Sequence, residues 1–341
     1  MKNARWRVGV LGLDHWYWAT GFVPGLLKDP RYELAALWEP QKWRLRATKY
    51  PAKQIASDPR QITDDPSIDL VVSFLTCPAN AKWLTRAARL GKAVVCDKPI
   101  AMTEAAARPL VAALARHRRP SFTLEGGTPL SGRARFLRGL IRKGTIGRPI
   151  TVTSVMRGGM PQAWWDRSGR GNWGWWVNPK LVPGGAWIDH SIYAISETRY
   201  LLGDDPVSVA AVMANVKYPR SVLKLEDYGT ATYTYRRGAV VTMEYDWVGG
   251  TGSSRLIVGT NGALRWGLGV PDGKVELRRN WKSSLLALPK GKDESLLDHL
   301  ARALSKGTDT CSPARLGLAN LRIALAAYRA AKTGRTVRIG G

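Results

Sequence analysis

Asp97-Lys98-Pro99 stands directly after the short, largely β-branched run Ala93-Val94-Val95-Cys96. A buried strand that stops at an acid, a lysine and a proline delivers charged groups to a cleft, where a lysine can take a catalytic part. The Lys98-Pro99 bond reads as a turn able to take the cis form. A second group lies near the N-terminus. Gly12-Leu13-Asp14-His15-Trp16 follows an apolar run, and Glu39 comes 27 residues after Gly12, at the end of another. Strand, turn, helix, strand and acid is the order of a dinucleotide-binding βαβ unit, in which the acid meets the adenosine ribose. Against GxGxxG the chain reads Gly12-Leu13-Asp14-His15-Trp16-Tyr17, so only the first glycine is kept. A carboxylate at Asp14 would repel a pyrophosphate and could cap the following helix. His15 and His190 each follow an aspartate, but no third ligand stands at helical spacing beside either pair, so no metal site is expected.

The elements that must position these residues follow from periodicity. Strands are expected at residues 6–13, Leu34–Trp38, Asp69–Leu75, Ala93–Cys96 and Pro120–Leu124, with helices at Trp16–Leu27, Ala79–Leu90 and Ala101–Arg116 between them. Strands alternating with helices imply a parallel sheet covered on both faces, with ligands at the carboxyl ends of the strands. Glu39, Thr76, Asn80 and Lys98 all fall at such ends and are expected to share one rim. After a helix at Gly132–Lys143, longer strands take over at Ile150–Met156, Val207–Val216, Thr230–Tyr235, Ala239–Trp247 and Arg255–Gly259. Hairpin turns are signalled at Tyr235-Arg236-Arg237-Gly238 and Thr260-Asn261-Gly262. Asp298–Leu304 and Pro313–Lys332 close the chain as helices. The expected fold is α/β: a Rossmann doubly wound parallel sheet over residues 1–122, then an α+β domain over 123–341 with a large, mostly antiparallel open sheet. The last helix is expected to pack back toward the Rossmann domain.

With 341 residues, 45% of them hydrophobic, the chain can bury the cores of about two domains. No apolar run approaches the roughly 18 residues of a membrane span. Asp14-His15 interrupts the first apolar run too early for a signal peptide. Cys77, Cys96 and Cys311 form an odd, widely spaced set that reads as small apolar residues in a reducing compartment. These features point to a cytoplasmic protein. The net charge is +26, with seven basic residues and no acid from Gly126 to Trp165. Such a balance favours anionic small molecules. The charges are dispersed among apolar segments without a nucleic-acid motif, so a solvated basic surface is expected rather than a nucleic-acid or membrane partner.

Over essentially the whole chain the sequence resembles the glucose-fructose oxidoreductase, inositol dehydrogenase and rhizopine-catabolism family, Gfo/Idh/MocA. Asp97-Lys98-Pro99 resembles its Glu-Lys-Pro motif. Gly184-Gly185-Ala186-Trp187-Ile188-Asp189-His190-Ser191-Ile192-Tyr193 resembles its GGGxLxDxGxH segment, and Gly139–Gly147 and Ala326–Ala331 are similar too. The resemblance implies dimers or tetramers built through the large sheet, and a lysine, here Lys98, that polarises a hydroxyl or carbonyl during hydride transfer. Near an oxidised nicotinamide such an ammonium should be easier to deprotonate than a free lysine. Asp189 matches the family's acid, Tyr193 stands at its histidine position with His190 as the next candidate, and Asn80 stands where a histidine often follows the fourth strand. The cofactor set implied is Gly12, Leu13, Asp14, His15, Trp16, Glu39, Thr76, Asn80, Asp97, Lys98 and Pro99. Glu39 favours NAD, while Lys42 and Arg44 leave NADP as the alternative.

Six tryptophans between Trp164 and Trp187 suggest either a core or a wall on which a sugar stacks. In the second reading Trp164, Trp165, Trp175 and Trp176 contact substrate, and Arg157, Arg167 and Arg170 receive its carboxylate or phosphate. Neighbouring glycines suggest a loop that closes over the cleft. The leading function is an NAD(P)-dependent dehydrogenase or reductase acting on a sugar, cyclitol or sugar acid. The alternatives are a redox-neutral glycosidase or eliminating enzyme with a retained cofactor, and a non-catalytic binding or scaffold protein that lost the cofactor.

Overall fold

The computed structural model describes residues 5–161 and 174–340. Its first half alternates strands and helices in chain order: β1 (Trp6–Leu11), α1 (Trp16–Lys28), β2 (Tyr32–Trp38), α2 (Lys42–Thr48), β3 (Gln54–Ile55), α3 (Arg60–Thr63), β4 (Leu70–Ser73), α4 (Cys77–Arg89), β5 (Ala93–Cys96), α5 (Glu104–His117) and β6 (Ser121–Thr123). All pair in parallel in the order β3-β2-β1-β4-β5-β6. Every residue of β4 and β5 is buried, as expected of central strands covered by helices on both faces. The order reverses at β1, so the carboxyl ends of β1, β2, β4 and β5 form the crevice at the switch point.

The second half comprises α6 (Gly132–Arg142), β7 (Pro149–Gly159), α7 (Ala186–Leu202), β8 (Pro206–Ala214), β9 (Tyr228–Tyr235), β10 (Val240–Asp246), β11 (Val248–Gly259), β12 (Gly262–Gly267), β13 (Lys274–Arg279), β14 (Lys282–Ala287), α8 (Leu296–Lys306), α9 (Ala314–Thr333) and β15 (Val337–Arg338). Its sheet runs β14-β13-β12-β11-β7-β10-β9-β8-β15 and is antiparallel except for β7 beside β10. Both hairpins fall where their turn residues stand, β9–β10 around Gly238 and β11–β12 at Thr260-Asn261. The fold class read from the sequence is therefore found.

Periodicity missed β12–β14 and the first seven residues of β11. Leu264, Trp266 and Val275 of β12 and β13 are buried in the core, while β14 is almost wholly exposed. Arg265 and Arg278 on neighbouring strands both bond Glu276, at 2.7 and 3.0 Å, and β14 reads Lys-Ser-Ser-Leu-Leu-Ala with no clean alternation. The closing helix α9 lies against α5 and β6 of the first sheet, with Arg322 Nε 2.8 Å from Glu104.

Candidate functional site

Lys98 projects from the turn after β5, and its peptide bond to Pro99 is cis. The side chain is buried, and its Nζ donates to the carboxylate of Asp189 and to the Asp189 carbonyl at 3.1 Å. Asp189 comes from the first turn of α7. That helix begins where Gly185 lets the chain pass close to Glu226, since a Cβ on Gly185 would lie 2.0 Å from the Glu226 carbonyl oxygen. Glu226 Oε1 accepts from the N–H groups of Gly185 and Trp187 at 2.8 and 3.1 Å and from the Tyr328 hydroxyl at 2.6 Å, so a residue distant in sequence caps α7. Asp189 Oδ2 also accepts from Trp247 Nε1 at 3.3 Å.

Burial disfavours the charged form of both partners, but each charge outweighs that for the other. The Asp189 carboxylate holds Lys98 above its ordinary pKa, and the Lys98 ammonium holds Asp189 below its own. The expectation of an easily deprotonated lysine is thus reversed in the protein by itself. Lys98 is an ammonium aimed between the rings of Trp176 and Tyr193, whose centroids lie 5.4 and 5.1 Å from Nζ. Tyr193 does not share its hydroxyl with the lysine. That oxygen accepts from Trp18 Nε1 at 3.1 Å, and burial pushes the phenol up to about 12 despite the nearby ammonium. His190 Nε2 is 3.8 Å from Asp189 Oδ2, too far for a hydrogen bond, and burial holds the imidazole below its ordinary pKa.

Beneath the lysine turn, the buried His15 Nδ1 bonds Asp97 Oδ2, and Asp97 Oδ1 accepts from the Lys98 N–H at 2.7 Å. Burial lowers the pKa of His15 and raises that of Asp97, so the uncharged form of each is favoured. Asn80 does not reach the rim. It is wholly buried on the inward face of α4, which starts at Cys77 directly after Thr76, and braces the turn from below, donating to the Asp97 carbonyl at 3.1 Å.

The turn between β1 and α1 fits a dinucleotide. Gly12 has φ +71°, and a Cβ there would meet Leu75 Cδ2 at 2.1 Å, so glycine alone permits this close passage. The helix α1 begins directly after this turn, and no side chain caps it. Asp14 does not cap that helix, contrary to expectation. Its carboxylate turns away to Arg44 Nη1 at 2.5 Å. Glu39, buried at the end of β2, accepts from Leu13 N–H at 2.6 Å and Gln41 N–H at 2.7 Å, and burial raises its pKa although Arg44 is close.

Trp175 and Trp176 stack on each other at 4.1 Å and pack across this turn. Trp176 meets His15 and Tyr17 at 4.4 and 5.9 Å, and Trp175 Nε1 donates to the Asp14 carbonyl at 3.1 Å. Trp187 instead belongs to the core. Trp164, Trp165, Arg167 and Arg170 lie outside the described residues. Arg157 is not available to a substrate anion, because Glu244 and Asp246 on β10 hold it at 2.6 and 2.8 Å. The parallel pairing of β10 with β7, which the sequence did not reveal, brings those acids beside it.

A cavity of about 410 Å³ opens beside Tyr193, lined among others by Trp18, Glu125, Arg133, Glu197 and Arg255. Sequence reasoning singled out none of these five. Glu125 is buried with neither carboxylate oxygen hydrogen-bonded among the described residues, and burial pushes it up to about 7. Four residues upstream of Pro129 in a glycine-containing segment, it carried no periodic or motif signal.

Comparison with known proteins agrees with this arrangement. The family described as "Oxidoreductase family, NAD-binding Rossmann fold" matches residues 6–123, and the GFO/IDH/MocA C-terminal domain matches residues 134–265. The chain is 24% identical over 228 residues to the uncharacterized oxidoreductase YrbE of Bacillus subtilis, a match spanning 65% of this chain and 62% of that relative. It is 26% identical over 287 residues to 1,5-anhydro-D-fructose reductase of Ensifer adhaerens, covering 82% of each chain. Among solved structures it is similar to the aldose-aldose oxidoreductase of Caulobacter crescentus, with a TM-score of 0.82 and 24% identity over 98% of this chain and 100% of that one. The chain belongs to the Gfo/Idh/MocA oxidoreductase family and carries that family's NAD-binding Rossmann domain.

Proposed function

We propose that the chain moves a hydride between NAD(H) and a hydroxyl or carbonyl carbon of a sugar, cyclitol or sugar acid, with residues 1–122 holding the nucleotide and 123–341 the substrate. The observation that carries this reading is the buried Lys98–Asp189 pair at the carboxyl end of β5, beside the nucleotide turn. The named activities of the sugar-reducing relatives support the substrate class. When bound, the nicotinamide supplies or accepts the hydride. The turn at Gly12 and Leu13 and the start of α1 would lie against the pyrophosphate, and Glu39 would meet the ribose. Lys98 donates a hydrogen bond to the substrate oxygen, stabilising the negative charge that builds there. In reduction it also delivers the proton.

Because Lys98 and Tyr193 both titrate above their ordinary range, the two directions should differ with pH. Reduction needs the ammonium and should stay flat through neutral pH. Oxidation needs a proton acceptor and should still be rising above pH ~10. A pH profile of kcat in each direction tests this, and an oxidative plateau already reached near pH ~6.5 would transfer the base role to His190. Tyr193→Phe should lower turnover by about tenfold, with Lys98→Met/Tyr193→Phe little worse than Lys98→Met. Additive losses would mean that the phenol acts on its own.

The exposed Arg133 on the wall of the cavity suits an anionic substrate, whereas Arg255 there is paired with Glu197. A uronic or phosphorylated sugar should therefore outperform its neutral parent, less so at high salt, and Arg133→Ala should remove most of the difference. Equal kcat/KM for charged and neutral substrates at low salt would leave the basic charge to the general surface.

One observation favours a second reading, in which a retained cofactor is oxidised and re-reduced without net redox change. Trp175 and Trp176 already close over the nucleotide turn. Protein purified with stoichiometric nucleotide, and product formation without a net change in nicotinamide absorbance, would favour it over the dissociating dehydrogenase.

A further inference from the structure

The turn between β1 and α1 carries a carboxylate where the dinucleotide pattern keeps a glycine. Asp14 Oδ1 accepts from Arg44 Nη1 at 2.5 Å, and the same nitrogen lies 3.3 Å from Glu39 Oε1. Glu39 is fixed independently, by the backbone N–H groups of Leu13 and Gln41. Arg44 therefore takes its position chiefly from Asp14. Its Nε is buried and has no hydrogen-bond partner among the described residues, so the guanidinium keeps an unused donor. One ion pair thus links the turn that faces a pyrophosphate to the acid that faces a ribose.

We infer that Asp14 sets nucleotide selectivity, by tying Arg44 to the turn so that it neutralises two carboxylates instead of receiving a 2′-phosphate. The inference rests on the assignment of this crevice to NAD. A guanidinium is the side chain best shaped to grip a phosphate in two-point fashion, and α2 places one within reach of the acid that would otherwise exclude that phosphate. With Asp14 in place, the floor holds two carboxylates and one guanidinium and disfavours an added phosphate. Without it, one carboxylate faces one released guanidinium. Removing Arg44 alone does the opposite, leaving two adjacent carboxylates uncompensated beside an anionic ligand. Trp175 bonds the backbone carbonyl of Asp14 rather than its side chain, so substitutions here leave that anchor in place.

The test is titration of NADH and NADPH into the wild type, Asp14→Gly, Asp14→Asn, Arg44→Ala and the double variant Asp14→Gly/Arg44→Ala, followed by nucleotide fluorescence and calorimetry. Wild type should bind NADH more tightly. Asp14→Gly should raise the affinity for NADPH relative to NADH by about tenfold, and Asp14→Asn should move the ratio the same way with less disturbance of the turn. Arg44→Ala should weaken both nucleotides by about tenfold, and the double variant should recover NADH binding but lose the NADPH gain. An unchanged ratio in both Asp14 variants, or a gain that survives in the double variant, would overturn the role given to Asp14. A wild type that binds neither nucleotide would instead overturn the cofactor assignment of the crevice, and this inference with it.

Discussion

Lys98→Met should lower turnover at least ~100-fold in either direction, with the affinity for NADH changed by no more than about threefold. Methionine keeps the length and apolar stem of the side chain but cannot donate to the substrate oxygen or deliver a proton. The nucleotide turn, with Gly12, Glu39 and the start of α1, is contacted by neither the old nor the new terminal group, so binding should persist. Rapid kinetics with a turned-over sugar and a parallel NADH titration check this. Near-normal turnover would remove the lysine from the chemistry, and joint loss of binding and turnover would make it a structural support of the cleft.

Asp189→Ala should be the most destabilising single change in the site, by about 3–5 kcal/mol, because it strands a buried ammonium. Lys98 is 2% exposed and Asp189 is its only carboxylate partner among the described residues, so solvent cannot take over the role. Denaturant unfolding at neutral pH reads the loss directly, and a change below about 1 kcal/mol would put the pair in a well-hydrated environment. The pH dependence follows from the two shifts. Asp189 titrates below its ordinary value, so its contribution is present above about pH 4 and is lost as the pH falls further. Lys98 titrates above its ordinary value, so its contribution persists through neutral pH and is lost only above about pH 10. In Asp189→Ala the acid-side loss from this pair should vanish, and stability should instead improve as rising pH neutralises the stranded lysine.

What the sequence disclosed and what it concealed divide along physical lines. The Rossmann sheet was legible because β4 and β5 are buried on both faces and read as unbroken apolar runs, and because Gly91 marks a helix stop. Lys98, Asp189, Tyr193, Trp175 and Trp176 do come together, since motif order and strand ends constrain them locally. Partnerships between distant segments were not legible. No local signal pairs Asp14 with Arg44, ties Arg157 to the acids of β10, gives the Tyr193 hydroxyl to Trp18, or makes Glu226 the cap of α7. Nor does any local signal give the Lys98 ammonium its partner Asp189, whose charge holds it above its ordinary pKa in the protein by itself. The outermost strand β14 escaped notice because it is exposed along nearly its whole length and so carries no apolar alternation.

The most direct test of the central claim is deuteride transfer. NADH carrying deuterium at the transferring position of the nicotinamide is incubated in single turnover with the wild type and a panel of aldoses, ketoses and oxidised sugar acids, and the products are analysed by mass spectrometry. The account predicts one deuterium on the carbon that bears the new hydroxyl, and a transfer rate at least ~100-fold slower in Lys98→Met with NADH still bound. Reduced product without deuterium, or deuterium transferred as fast by Lys98→Met as by the wild type, would contradict it.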